Sequence, residues 1–388
     1  MAEYLIRTDA QVQPTLAKLK PGDAMVFAGG TYAPIRIAVR RWPSPGVVLR
    51  AAPGEDVTLG GVIFDGSAGI TIQGLRIVND AIGVMVGGTS PERIFVINLE
   101  IHGDPAGDLH TKNGTGVAFR LARFCGVRGC DIHHTGAGIS HQGCDSLDIL
   151  ENRIHDFRFD GIRGGSSNLR IEGNEIRDMF PAPTDHPDGI QLWTAGLTGA
   201  QHNIVVRRNR LLRGRGSPFQ GIFVGNEAQF PWEGLVIEEN LVVSDHHHGI
   251  SVYVANAPVI RGNYVGAHSN GLGPSWIKAD GCVAPEISDN VMVGPVLLNG
   301  SGGRPNSIAA RESRNSKVSL LRKDDDSKPE AWWRSLAPRP ITPSKWSAAT
   351  PPPSAALALA AAGLALAVPG TRRGVLALLA AQAGDALL

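Results

Sequence analysis

Arg170-Ile171-Glu172-Gly173-Asn174-Glu175-Ile176 and, shortly after, Asp188-Gly189-Ile190-Gln191-Leu192 form one copy of a module that recurs from Leu147 to Gly262. Its first half is an apolar–polar–apolar strand that runs into Asn. Its second half is a strand opened by Gly and an aliphatic residue. The Asn stands at Asn152, Asn174, Asn209, Asn240, Asn263 and Asn290, with gaps of 22, 35, 31, 23 and 27 residues. The Gly–aliphatic pair stands at Gly116-Val117, Gly138-Ile139, Gly161-Ile162, Gly189-Ile190, Gly221-Ile222 and Gly249-Ile250, with gaps of 22, 23, 28, 32 and 28. Two independent markers therefore share a base period near 22 residues, lengthened by insertions.

A period of about 20–45 residues marks a solenoid, a propeller or an array. Here the unit is strand, turn, strand, with no helical segment between copies. Alternation at Leu169/Ile171, Ile204/Val206 and Leu235/Ile237 turns one side of each strand inward. A single coil cannot bury that side, so coils stack and Val, Ile and Leu form internal columns. Gly and Asn supply the turns because both tolerate positive φ. The repeated Asn is expected to build a buried ladder of amides that bond the backbone of neighbouring coils. The Leu-x-x-Leu-x-Leu frame of leucine-rich repeats is absent. The fold class expected is all-β, a single-stranded right-handed parallel β-helix (solenoid) with an N-terminal capping helix and a non-repeat C-terminal tail. Its expected divisions are a cap and first coil over 1–60, the β-helix over 61–299, a polar Pro/Ser/Arg-rich linker over 300–354, and an Ala/Leu-rich helical tail over 355–388.

Composition agrees with a turn-rich all-β chain: 48 Gly and only 19% charged residues in 388. A net charge of +1 gives no bulk electrostatic case for nucleic acid or an acidic membrane surface. Four cysteines do not make a disulfide framework in a chain of this length. Met1-Ala2-Glu3-Tyr4-Leu5 lacks a basic region followed by an apolar run, so no secretory signal is expected. The routes left open are the cytoplasm, non-classical export, or release as part of a virion.

Thr8 or Asp9 can cap a helix through Val12, Leu16 and Leu19 that Pro21-Gly22 ends. Its apolar side would cover the open end of the solenoid. Next comes Leu19-Lys20-Pro21-Gly22-Asp23, then the strand Ala24-Met25-Val26-Phe27, then Gly30-Thr31-Tyr32. This opening resembles the start of pectate-lyase-like β-helices, including the alginate and chondroitin lyase families. The resemblance spans roughly residues 12–300 and implies the fold.

Cys125, Cys130, His133, His134, His141 and Cys144 invite a zinc reading, but their spacing fits none of the usual patterns. Cys130 stands where the repeat places Asn or Gly, so it reads as an internal ladder residue. The loop Gly103 to Gly114, with Asp104, Asp108, His110 and Lys112, is either a solvated excursion or one wall of a groove.

Residues two and four past each Gly should face outward. Stacked, they give Arg120, then Ser140 and Gln142, Arg163, Gln191 and Trp193, Phe223, and Ser251 and Tyr253. Residues just before Gly add Asp160, Asp188, Gln220 and His248 along one edge. Insertions at Met179–Pro187, Leu197–Asn203 and Gly225–Gly234 would deepen this face into a groove. An aromatic beside carboxylates, Arg and amides along such a groove suits an acidic polysaccharide, whose rings stack on Trp and Tyr and whose carboxylates pair with cations.

The motif Asp185-His186-Pro187-Asp188-Gly189-Ile190-Gln191 is similar to the Asp/His-rich catalytic strand of mannuronan C5-epimerases and related alginate-modifying β-helices, although those read Asp-Pro-His and here His precedes Pro. That resemblance implies abstraction of the C5 proton of a uronate. Its roles would fall to Arg163 or Lys278 neutralising the carboxylate, His186 as base, Tyr253 or His248 as acid, and Asp188 orienting His186. Asp160, Asp185, Gln191, Trp193, Arg120 and Gln220 are the candidate substrate-binding residues. Reprotonation on the opposite face gives an epimerase; loss of the C4 glycan gives a lyase. A hydrolase using Asp160, Asp185 and Asp188 is the third enzymatic option. No metal ligand set is expected, but Ca²⁺ could sit at the Asp-rich edge.

The run Ala355 to Val368 is shorter than the roughly 20 residues of a usual membrane span. It could contact a membrane or a partner helix. Against the enzyme stands a non-catalytic glycan-binding β-helix, such as a homotrimeric phage tailspike or a surface adhesin.

Overall fold

The computed structural model describes residues 1–269, 271–299, 311–323 and 325–337. Parallel strands stack along three faces. The first begins with Glu3–Ile6 against Ala24–Phe27 and Val47–Ala51 and ends with Glu286–Ser288 against Arg311–Ser313. The second runs from Gly30–Tyr32 against Val57–Leu59 to Val291–Met292 against Ser316–Lys317. The third runs from Ile35–Ala38 against Val62–Asp65 to Trp276–Asp280 against Val296–Asn299. This is the parallel β-helix expected from the two markers.

Register keeps like above like. Val117, Ile139, Ile162, Ile190, Ile222, Ile250 and Ile277 pair in succession on the third face, and all are fully buried. Each inward column of this kind removes aliphatic surface from water at about 25 cal/mol per Å².

The Asn ladder lies between the first and second faces. Asn174 illustrates each rung. Its side-chain Nδ2 donates to Ile149 O at 2.9 Å and to Asn209 Oδ1 at 2.9 Å. Its backbone N–H donates to the same Oδ1 at 3.0 Å. The residue is fully buried, so the ladder satisfies polar groups that water cannot reach. At the N-terminal end Cys130 takes over: its N–H donates to Asn152 Oδ1 at 3.0 Å, while its Sγ accepts from Leu99 N at 3.5 Å. Cys125, Cys130 and Cys144 are free and buried, and among the described residues no group of His, Cys, Asp and Glu is arranged to hold a metal ion.

The N-terminal cap is shorter than the sequence suggests. A 3-10 turn over Asp9–Gln11 leads into an α-helix over Val12–Leu16, and Val12 and Leu16 are buried against the core. Tyr32 closes this end by donating to Ala28 O at 2.7 Å or to Ile6 O at 2.9 Å. Parallel pairing runs unbroken across residue 60, so cap and solenoid are one stack.

Two expectations for the C-terminal part need correction. The repeat does not stop at Asn299: Arg311–Ser313 and Ser316–Lys317 add strands, and Asn315 Oδ1 accepts from Asn290 N at 3.0 Å as a further rung. Nor are residues 300–354 linker throughout. Ser327–Ser335 is a helix whose Trp332 ring centroid lies 5.4 Å from that of Tyr264, and Arg210 pairs with its Glu330. The polar composition hid both, because this coil buries little. The tail expected over 355–388 lies outside the described residues. Among those described, no helix is long and apolar enough to cross a membrane.

Candidate functional site

The third face carries the candidate residues in the order the repeat implies. Ser140, Arg163, Gln191, Phe223, Ser251 and Lys278 are successive register partners, about 4.8 Å apart as neighbouring strands are. Asp160, Asp188 and Gln220 are partners along the adjoining edge. A side chain's place on this face is thus fixed by its distance from Gly.

At the centre, His186 leaves the Met179–Pro187 insertion and leans over the edge column. Its Nδ1 lies 3.1 Å from Asp188 Oδ2, and Gln220 Nε2 lies 2.6 Å from its Nε2. The imidazole is 62% exposed, whereas the Asp188 side chain is sealed at 0%. Burial pushes Asp188 up to about 7, with the nearby Asp160 charge adding to the rise. The hydrogen bond to Asp188 raises His186 in turn. The two therefore hold one proton between them near neutral pH.

Asp160 lies beneath. Its Oδ1 accepts from Asp188 N at 3.2 Å, and its Oδ2 pairs with Arg163 at 3.1 Å. Burial raises Asp160 as well, against the pull of Arg163. The Arg163 guanidinium lies 4.4 Å from the Trp193 ring centre and 5.4 Å from that of Phe159. Three buried polar atoms of this cluster have no partner: Asp188 Oδ1, Arg163 Nε and Gln220 Oε1. Such atoms are costly unless something completes them.

Phe223 is the hub of the far side. Ring centroids of His186, His248 and Tyr253 lie 5.8, 5.9 and 5.4 Å from its own. Tyr253 Oη accepts from Lys278 Nζ at 3.1 Å, and Lys278 pairs with Asp280 at 2.8 Å. Desolvation opposes the Lys278 charge, but those two bonds outweigh it and raise its pKa. His248 bonds Ser251 Oγ through Nδ1 at 2.9 Å, and burial lowers it to about 4, so it is neutral at physiological pH.

The remaining candidates divide. Gln191 stands between Arg163 and Phe223, its amide without a hydrogen-bond partner among the described residues. Trp193 Nε1 donates to Gln142 Oε1 at 2.9 Å. Arg120 reaches Ser140 Oγ at 3.0 Å, two register steps from Gln191 along the face; desolvation and the charge of Arg163 lower its pKa. Asp185 is turned away: Arg158 grips it with Nε and Nη2 at 2.7 and 2.8 Å. That bidentate pair anchors the insertion carrying His186. The loop containing Asp104, Asp108, His110 and Lys112 packs on the same insertion, with His110 Nδ1 2.9 Å from Pro181 O.

Sequence reasoning did not single out Phe223, Asp280 or Arg158 as site residues. Phe223 stood in the outward column, two past Gly221, but was given no role there. The partners Asp280 and Arg158 depend on rotamers that no spacing encodes.

The fold recurs among solved structures. The lacto-N-biosidase GH136 from Eubacterium ramulus aligns with a TM-score of 0.58 at 14% identity, covering 82% of this chain and 68% of that one. A mannuronic-acid-specific polysaccharide lyase of family 6 from human gut microbiota aligns with a TM-score of 0.48 at 13% identity, covering 85% and 93%. The mannuronan C-5 epimerase A-module of Azotobacter vinelandii aligns with a TM-score of 0.45 at 11% identity, covering 81% and 91%. At these identities the likeness is one of fold. No curated protein sequence matches the chain. The family described as right handed beta helix region matches residues 60–275, more than half of the sequence, and to that family the chain belongs.

Proposed function

We propose that the third face is the active site of a polysaccharide-processing enzyme that abstracts the C5 proton of a uronate in an acidic glycan, as a lyase or an epimerase. The observation that carries this reading is the exposed His186 imidazole hydrogen-bonded to a fully buried Asp188. A base must reach its substrate, and the carboxylate that tunes it need not.

With Nδ1–H held by Asp188, Nε2 keeps the lone pair that takes the C5 proton, once the sugar displaces the Gln220 amide. Asp188 then stabilises the imidazolium. Arg163 faces the sugar carboxylate and offsets the second negative charge that develops there. Tyr253, beside the Lys278 ammonium, is the proton donor. In a lyase the C5–H pair forms the C4–C5 double bond, the C4–O bond breaks, and the leaving oxygen takes the proton. In an epimerase Tyr253 delivers its proton to C5 from the opposite face, while the proton taken from C5 stays on His186. Phe223, Trp193 and Tyr253 supply apolar surface for sugar rings.

A hydrolase gains support from the raised pKa of Asp188 next to Asp160. It is the weaker reading, because Asp160 and Asp188 are both buried and Asp185 is held by Arg158. A non-catalytic spike or adhesin would use the same aromatic face, and a trimer in solution would favour it.

The test is absorbance of unsaturated uronates while the full-length protein meets a panel of acidic polysaccharides, with and without Ca²⁺, alongside solvent-deuterium incorporation at C5. A signal that disappears in His186→Ala supports the site. Binding without either signal leaves the non-catalytic reading, and new reducing ends alone leave the hydrolase.

A further inference from the structure

On the outward side of the third face, Arg120, Gln142 and Gly165 are register partners, and the next coil brings Trp193, whose N–H donates to Gly164 O at 3.1 Å. Gln142 and Trp193 are therefore two coils apart, about 10 Å between backbones. Gln142 nevertheless spans the distance. Its Nε2 donates to Ala195 O at 2.7 Å, and its Oε1 accepts from the Trp193 indole N–H at 2.9 Å. Both ends of the amide are used, so a flip would lose both bonds.

The reach depends on Gly165. The coil between the two residues presents no side chain there, and an added Cβ would collide with Trp193 O and the Leu197 side chain. The far side of the same loop is held separately: Thr194 N donates to Glu227 Oε2 at 3.0 Å, and Ala228 N donates to Thr194 Oγ1 at 3.0 Å. The indole so fixed is the one on which the Arg163 guanidinium rests, and Arg163 Nε is buried without a partner.

We infer that Gln142 is a positioning residue that reaches through the gap at Gly165, clamps the Trp193 indole, and thereby fixes Arg163 at the anion-binding end of the groove. The inference rests on the glycan-groove reading for its effect on substrate, but not for the clamp itself. A polar side chain that only faced water would gain nothing by crossing a coil and ordering its rotamers.

The test uses the full-length protein and two readouts. The first is hydrogen exchange over residues 193–198 without glycan. Losing both bonds in Gln142→Leu should speed exchange there by about tenfold while core strands keep their protection. Trp193→Phe loses only the indole donor and should fall between. The second is kinetics on an acidic oligosaccharide. kcat/KM should fall about tenfold, with kcat sharing the loss, because Arg163 meets both the bound carboxylate and the charge that develops on it. Gln142→Glu keeps the indole acceptor and should recover part of both effects. Unchanged exchange over 193–198 would overturn the clamp. Unchanged kcat/KM beside faster exchange would overturn the link to Arg163. If the wild type neither binds nor converts an acidic glycan, the groove reading falls with that link, while the exchange result still decides the clamp.

Discussion

His186 Nδ1 lies 3.1 Å from Asp188 Oδ2, and the two side chains differ sharply in exposure: 62% against 0%. The buried carboxyl is held up to about 7 and raises the imidazole in turn. Turnover should therefore rise with pH through about 7 as the shared proton leaves. Asp188→Asn removes the anion that raises His186, so the acid limb should move to lower pH, while the maximum falls by about a hundredfold or more. A pH–rate profile of both proteins checks this; a limb that stays in place would detach Asp188 from the base.

Phe223 is ringed by His186, His248 and Tyr253. It is half-buried on the outer face, so Phe223→Ala should cost little melting temperature. It should nevertheless weaken glycan binding by about tenfold, at about 1.4 kcal/mol for each factor of ten. Phe223→Tyr should retain most of the affinity. Calorimetric titration with an oligosaccharide distinguishes the two variants.

Asn209 is fully buried in the amide ladder. It donates to Ile171 O at 2.9 Å and Asn240 Oδ1 at 3.0 Å, and it accepts from Asn174 N at 3.0 Å. Asn209→Ala leaves several of these groups unpaired and should cost about 3–5 kcal/mol, at about 1–3 kcal/mol per orphaned buried group. Denaturant unfolding measures it. A loss below about 1 kcal/mol would show that water or relaxation repairs the gap.

His268 sits between Asp245 and Asp326 at 3.0 and 3.3 Å, and the bond to Asp245, joined by Asp326, raises it to about 9. A histidine raised in the folded state stabilises fully below its unfolded pKa of about 6.5, and that stabilisation is lost as pH rises through about 9. Melting temperature should decline across that window, and His268→Gln should flatten the decline. Asp326 precedes the helix Ser327–Ser335, so protease sensitivity near the helix should rise over the same range.

The fold was legible because its signals are local and repeated. Asn174 and Ile190 each occupy a place that recurs, and each landed in the predicted ladder or column. The outward face followed from counting past Gly, which placed Arg163, Gln191 and Phe223 in one line. What the sequence hid was pairing. Spacing placed Asp188 on the edge column, just before Gly189, but it could not show that His186 would lean onto Asp188 while Arg158 clamped Asp185. Those pairings depend on the path of the insertion that carries Asp185 and His186. The final coil was hidden for another reason: Arg311 to Lys317 lacks the aliphatic alternation that announces a strand, and only Asn315 keeps the pattern.

That last amide works as a keystone. Asn290 sends both its backbone and side-chain N–H groups to Asn315 Oδ1, at 3.0 and 3.1 Å. A chain cut where the sequence first loses its rhythm, at 299, would leave those donors facing a raw end and would also discard the helix that covers Tyr264. Anyone trimming this protein for crystallisation or display should therefore keep it through Ala337, because the shorter version is expected to fray from its C-terminal coil and to expose strand edges that recruit other chains.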